Sequence, residues 1–387
     1  MTIIISSFWM MTYPVSLKCL TYRIGGSKVK QKRKIKWVLL FVLMALFSNI
    51  PVSASEFNFA ITTTPPDSQI DGTKTYFDIR LDPEQTEELS VELRNDTDKE
   101  VKVDVSLNSV TTNSNVVVEY GENNIEKDDS LDIDIADYVE YPETVTLAPQ
   151  SKETIVFQVN MPKTIFDGVL AGGITFKEIT EEDQSGDDQQ GLSIKNEYSY
   201  VVALLMRQTE NKVAPNLILH EVEPGQINAR NVILATLQND QKTYINQVNL
   251  QTKITKKGND TVLYAEDKEK LQIAPNTRFD FPTSLNGAAL EPGEYKIRAT
   301  VFANEDESGE FVRETEGGPI KYRNYWTFEK DFTIDGQVAR ELNAKDVTIP
   351  EDHTWMYLLI GALLLLLVVL LILWLLWRKK KNEEKED

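Results

Sequence analysis

Between Ser55 and Thr354 apolar residues return at every second position, and no stretch repeats them for long at the 3.6-residue interval of a helix. The segments "TYFDIRL", "ELSVELRN", "VKVDVSL", "NVVVEY" and "ETIVFQVNMP" alternate in this way and are rich in β-branched residues. Alternation of period two sends successive side chains to opposite faces, the signature of a strand with one face buried. Turn formers such as Asp71-Gly72 and Asn95-Asp96 bound the segments. Short strands spaced by about 8 to 12 residues predict a β-sandwich.

The pattern breaks at "EITEEDQSGDDQQG", an acidic stretch almost without apolar residues, and then restarts with "NEYSYVVALLMR", "NLILHEV", "NVILATLQN" and further strands to "WTFEKDFTI". Within this half "LEPGEY" sets a Pro-Gly turn ahead of Tyr295, the pattern of a tyrosine corner in immunoglobulin-like sandwiches. The expected fold is therefore an all-β ectodomain of two tandem immunoglobulin-like β-sandwiches, 57–178 and 192–335. An acidic linker, 179–191, joins them, and a tether, 336–354, follows, able to span about 65 Å when extended.

The two ends carry different signals. "KVKQKRKIKWVLLFVLMALFSNIPVSASEF" has the basic run, apolar core and small-residue cut site of a secretory signal peptide, with cleavage expected before Ser55. Residues 1–54 are read as leader and signal. The first 28 residues add neither charge logic nor core pattern, and translation is expected to begin at Val29. Near the other end, Trp355 to Trp377 runs without a charge and reaches ~34 Å as a helix, enough to cross a hydrocarbon core of about 30 Å. Trp and Tyr sit at its ends, and Arg378 with Lys379 to Lys381 follows. The run is expected to be a single C-terminal transmembrane α-helix, 355–377, with a cytoplasmic tail, 378–387, and the sandwiches outside the cell. No LPxTG-type motif precedes it, so a permanent membrane anchor is expected rather than a wall-sorting signal.

The net charge is −19, and the basic leader and tail leave the stretch between them at −28. Such a field repels phosphate backbones and excludes nucleic acid as an expected partner. The only cysteine, Cys19, lies ahead of the signal core, so the exported part has no disulfide framework. A cysteine-free ectodomain behind a Lys-rich signal fits a Gram-positive cell surface.

Few residues offer chemistry. "FDGVLAGGITF" carries Gly168, Gly172 and Gly173, but a phosphate-cradling loop needs a helix behind its glycines, and here a strand pattern continues. Paired glycines inside a strand point to a bulge or a close backbone approach. "DDSLDIDIAD", residues 128–137, supplies five carboxylates without the glycine and closing Glu of a calcium loop. With no exported cysteine and only His220 and His353, neither a zinc site nor a Ser-His-Asp triad has its parts. No metal, cofactor or catalytic residue is expected. The remaining candidates are aromatic: Tyr322, Tyr325 and Trp326 in "KYRNYWTFEKDF" suit stacking on sugar or a partner surface. Alternation puts Trp326 with Phe328 on one face, more often the core, and Tyr325 on the other.

"FDGVLAGGITF" after "VNMP", followed by "NEYSYVVAL", "LQN", "IAPNTRFDF" and "LEPGEY", resembles the WxL-interacting protein family of Gram-positive bacteria. "YFDIRLDPEQTEELSVELRN", "SVTTNSNVVVEY" and "KDDSLDIDIADYV" fit the same resemblance, which covers Phe57 to Ile334. It implies a peptidoglycan-binding domain followed by a host-binding domain, and partnership with secreted proteins carrying WxL domains. The expectation is a non-enzymatic cell-surface adaptor holding peptidoglycan and a secreted WxL-domain protein at the membrane. A host-matrix adhesin is the alternative, and a wall polysaccharide hydrolase built on paired carboxylates is a second one.

Overall fold

The computed structural model describes residues 58–180, 198–350 and 354–383, with side chains of the last stretch described over 356–375. The leader and signal segment, most of the acidic linker and the last residues of the tail lie outside the described residues.

The first sandwich is built from β1 (Ala60–Thr64), β2 (Phe77–Arg80), β3 (Thr86–Asn95) and β4 (Val101–Ser109). A small ribbon of β5 (Thr111–Thr112) and β6 (Val118–Glu119) leads to a 3₁₀ turn, Ile135–Tyr138. Then come β7 (Val139–Glu140), β8 (Thr144–Leu147), β9 (Ser151–Asn160), β10 (Leu170–Glu178) and β11 (Ser199–Arg207). One sheet runs β1-β3-β9-β7 and the other β2-β11-β10-β4-β8. The predicted alternation holds: Leu89, Val91 and Leu93 of β3 face Ile174 and Phe176 of β10 across one core, where Phe157 meets Phe176 edge-on at 6.1 Å.

β11 corrects the expected boundary between the sandwiches. The strand lies beyond the acidic stretch, in the segment assigned to the second domain, yet it pairs antiparallel with β10 and parallel with β2. Val202, Leu204 and Met206 fill the first core. The acidic stretch therefore joins two adjacent strands of one sheet.

The second sandwich comprises β12 (Ile218–Ile227), β13 (Arg230–Asn239), β14 (Ile245–Lys256), β15 (Val262–Ile273), β16 (Thr277–Ser284), β17 (Gly293–Glu305), β18 (Phe311–Thr315) and β19 (Gly318–Ile334). A three-stranded sheet, β12-β13-β16, packs on a five-stranded sheet, β15-β14-β17-β19-β18. The tyrosine corner forms as expected: buried Tyr295 donates its hydroxyl proton to the Glu291 carbonyl at 2.9 Å.

The two sandwiches share an internal repeat. Asn95 in "LRND" and Asn239 in "LQND" are both fully buried at the end of equivalent strands. The Asn95 amide donates to the carbonyls of Lys99 and Ala148, and the Asn239 amide to those of Thr243 and Ala274. Both acceptor strands end in Ala-Pro followed by a residue in the left-handed region, Gln150 or Asn276. A short amide side chain thus satisfies the carbonyls of a turn that no ladder reaches.

Downstream, the segment expected to be a free tether is largely folded. Asp335 caps α1 (Gly336–Lys345), accepting from the backbone amides of Gln337 and Val338. Asn343 exchanges hydrogen bonds with both backbone groups of Leu290 and accepts from Asn231, while the Asp346 carboxylate accepts the Asn231 amide at 2.7 Å. Ala339 is buried against the second core. α2 (Thr354–Glu383) then contains the uncharged run Met356–Leu375, twenty residues and so ~30 Å long, enough to cross a membrane.

A candidate binding groove at the seam of the sandwiches

Of the glycines that raised the phosphate question, Gly168 meets the second sandwich at the seam, while Gly172 and Gly173 let the residues between β4 and β8 lie close against β10. Gly168 has φ +88°, a conformation natural to glycine alone, and a Cβ there would lie 2.1 Å from the Lys242 carbonyl oxygen. That same carbonyl accepts the Val169 amide at 2.8 Å. A Cβ on Gly173 would meet the Tyr120 carbonyl oxygen at 2.2 Å, and one on Gly172 the Ile135 side chain at 2.6 Å. No helix follows; the stretch continues as β10.

The residues between β4 and β8 complete the seam. "NVVVEY", read as a strand of the first sandwich, forms only the two-residue β6, because Val116 is withdrawn to plug the core of the second sandwich. Its φ of +59° is rare for a β-branched residue and is held by the turn from Asn113, whose carbonyl accepts the Val116 amide. Thr112 accepts from the Ala274 amide and donates its own amide to the Thr277 hydroxyl, each at 3.0 Å.

The acidic stretch 128–137 is likewise spent on the protein itself. Asp128, 5 % exposed, accepts from the Ser130 amide and from Gln238 and sits 3.7 Å from Arg278. Asp132 pairs with Lys242, and Asp134 caps the 3₁₀ turn while accepting from Ser109 and Lys127. Burial alone would raise the Asp128 and Asp134 carboxyls, but these donors and cations hold both below the ordinary range.

Along the seam run two clefts that meet at Tyr244 and Asn246. One, about 760 Å³, is bordered by Tyr76, Tyr120, Tyr244 and the outer face of β11, where Val201 is 44 % exposed. The Tyr120 and Tyr244 hydroxyls lie 3.1 Å apart, and burial pushes both phenols up, so they remain neutral hydrogen-bonding groups. The other cleft, about 920 Å³, gathers Arg80, Arg207, Lys212, Lys242 and Arg323 in a strongly acidic stretch of the chain. Arg80, Arg207 and Arg323 are paired with Glu210, Asp78 and Asp306, while Lys212 has no ion pair among the described residues. Together the clefts offer aromatic faces, side-chain amides and cations along one groove. None of these tyrosines stood out in the sequence, because their grouping depends on which strand packs on which.

The aromatic residues singled out from sequence separate in the structure. Tyr322 is 1 % exposed and its hydroxyl accepts from Asn249 at 2.9 Å, so its ring is no open stacking face. Trp326 and Phe328 pack against the second core. Tyr325 is 37 % exposed and stacks on Phe311 at 5.5 Å, with Phe302 at 4.8 Å. His220 contacts the Gln238 amide oxygen at 2.6 Å and stands in no catalytic grouping.

Residues 59–178 match the family profile described as WxL Interacting Protein, peptidoglycan binding domain, and residues 189–344 match WxL Interacting Protein, host binding domain. The profiles divide the chain close to where the sequence pattern breaks, whereas strand pairing carries the first sandwich on through β11. No curated protein matches the chain. Among solved structures it is similar to the PapD-like domain 7 of human CEP192, at 12% identity over 40% of this chain and 87% of that one, with a TM-score of 0.24. It is also similar to the class 5 fimbriae chaperone CfaA (12% identity, 70% and 99% covered, TM-score 0.28). The E. coli chaperone DraB is 15% identical, with 72% and 98% covered and a TM-score of 0.25. These likenesses bear on the fold alone.

Proposed function

Because the chain belongs to the WxL-interacting protein family, we propose that it is a membrane-held adaptor that grips peptidoglycan in the seam groove and presents a secreted WxL-domain protein or a host ligand on the second sandwich. The observation that carries the wall-binding half is the groove itself. Tyrosine faces beside side-chain amides suit the glycan strands, and the cationic cleft suits carboxylates of the stem peptides. Binding by surface complementarity needs no reacting group, so the reading is non-catalytic. The apolar run of α2 holds the protein in the membrane with the sandwiches outside and the basic end of the helix in the cytoplasm. Since Asp346 and Thr348 are fixed to the second sandwich, residues 349–353 alone remain as a link, about 17 Å when extended. The second sandwich therefore stands close to the outer leaflet.

Pelleting of the full chain, carried in nanodiscs, with insoluble peptidoglycan tests the groove. Val201→Glu places a charge on an exposed wall without touching the core, and at least a tenfold loss of pelleted protein is expected. Undiminished pelleting of this variant removes the groove as the wall site.

A further inference from the structure

At one end of the second sandwich the five-stranded sheet curls until its two edges meet. Arg313 of β18 reaches across to Glu269 and Asp267 of β15, the opposite edge strand, and Gln251 of β14 donates to Asp267 at 2.9 Å. The curl is possible because Gly309 lies against the Tyr322 backbone, where a Cβ would come within 2.5 Å. It encloses a pocket of about 470 Å³. Four side-chain amides line it: Asn246, Gln247, Asn249 and Gln272. Buried Asn249 is held in place by its bond to the Tyr322 hydroxyl, and Gln272 donates to Asn246 at 2.7 Å. The lining charges cancel, Glu269 and Glu305 against Lys270 and Arg313, although the ectodomain around them is strongly acidic. Next to Tyr322, the rings of Phe302, Tyr325 and Phe311 form an aromatic shelf.

We infer that this pocket is a binding site for a neutral, hydroxyl-rich glycan. A charge-balanced lining attracts neither polyanions nor cations, while amides supply the paired donors and acceptors that vicinal hydroxyls and acetamido groups require. The exposed shelf gives the C–H face of a neighbouring sugar a ring to lie on. An extended peptide adding itself to an edge of the five-stranded sheet at this pocket is disfavoured, because Arg313 ties that sheet's two edges to each other. The inference deepens the host-ligand reading of the second sandwich and rests on it; the pocket adjoins the seam groove, sharing Asn246, Gln247, Gln272 and Glu305 with its clefts, whereas Ile320 lines the pocket alone and Val201 the groove alone.

Its test is a glycan array probed with the full chain in nanodiscs, displaying lactose- and N-acetyllactosamine-type neutral oligosaccharides, their sialylated and sulfated counterparts, and extended peptides. Neutral probes should bind. Ile320→Arg, which fills the pocket and unbalances its charge, should weaken them at least tenfold, and Tyr325→Ser, which removes the shelf, several-fold. Both variants should pellet with peptidoglycan like the wild type, and Val201→Glu should keep neutral-glycan binding while losing peptidoglycan. Silence of every neutral probe, preference for charged probes or peptides, or neutral binding unmoved by Ile320→Arg overturns the inference. Peptidoglycan pelleting tests the adaptor separately, so the two can fail independently.

Discussion

Gly168→Ala should open the seam, and the structure says by how much. At φ +88° an alanine suffers the left-handed penalty of ~1–2 kcal/mol. Its Cβ would stand 2.1 Å from the Lys242 carbonyl oxygen, so that carbonyl must retreat by more than an ångström. The retreat breaks the bond it accepts from Val169, a loss of ~1 kcal/mol, and crowding of this kind costs ~1–3 kcal/mol. Stiffening of the unfolded chain returns ~0.4–1 kcal/mol. The net is a destabilisation of ~3 kcal/mol, or a fall in melting temperature of ~6–12 °C for a body of this size. Gly258→Ala isolates the conformational part, since its φ is +79° but nothing lies within 4 Å of the added carbon. That control should fall by no more than ~1–4 °C, and thermal unfolding of the full chain in detergent by near-ultraviolet dichroism reads both. Two melting temperatures within ~2 °C of each other would show that Lys242 yields freely, and the close-approach account of the glycines would fail.

Two other outcomes follow from the same contacts. Asn95→Ala and Asn239→Ala each remove a buried amide that donates to two turn carbonyls and should lower stability by ~1–3 kcal/mol, whereas exposed Asn115→Ala should stay within ~0.5 kcal/mol; equal urea midpoints for all three would show that the repeated amide network carries no stability. The depressed Asp128 and Asp134 carboxyls give a stabilisation that is whole above the unfolded carboxylate value near ~3.9 and is lost as pH falls through their lower folded values. The urea midpoint should therefore drop between pH 5 and pH 2, and Asp128→Asn should show a smaller drop than wild type, an expectation refuted by parallel curves.

Strand content and the tyrosine corner were legible because they are written locally, in alternation and in a Pro-Gly turn ahead of Tyr295. Ownership of β11 was not, since its alternation is satisfied equally by either sandwich and only pairing with β10 decides. Val116 misled for a related reason: three valines in a row read as a strand, while one of them belongs to the core of the other sandwich. α1 was in principle visible, with Asp335 as a cap and Val338, Ala339 and Leu342 at helical spacing, but at ten residues it offers a short pattern. The groove tyrosines come from β2's approach, the ribbon and the start of β14, and no linear pattern links them. Tyr325 was placed correctly on an exposed face by alternation alone, whereas Tyr322 is buried by the curl at Gly309.

The internal repeat explains why the two sandwiches act as one body. The segment between β4 and β8 of the first sandwich holds the ribbon and the acidic stretch, whereas only residues 257–261 separate the corresponding β14 and β15 of the second. That segment supplies Val116, Thr112, Asp128 and Asp132, the side chains that grip the second sandwich. The segment that most distinguishes the first sandwich from the second is thus the one whose contacts join the two. Fixing the seam also fixes the groove, because its walls come from both sandwiches.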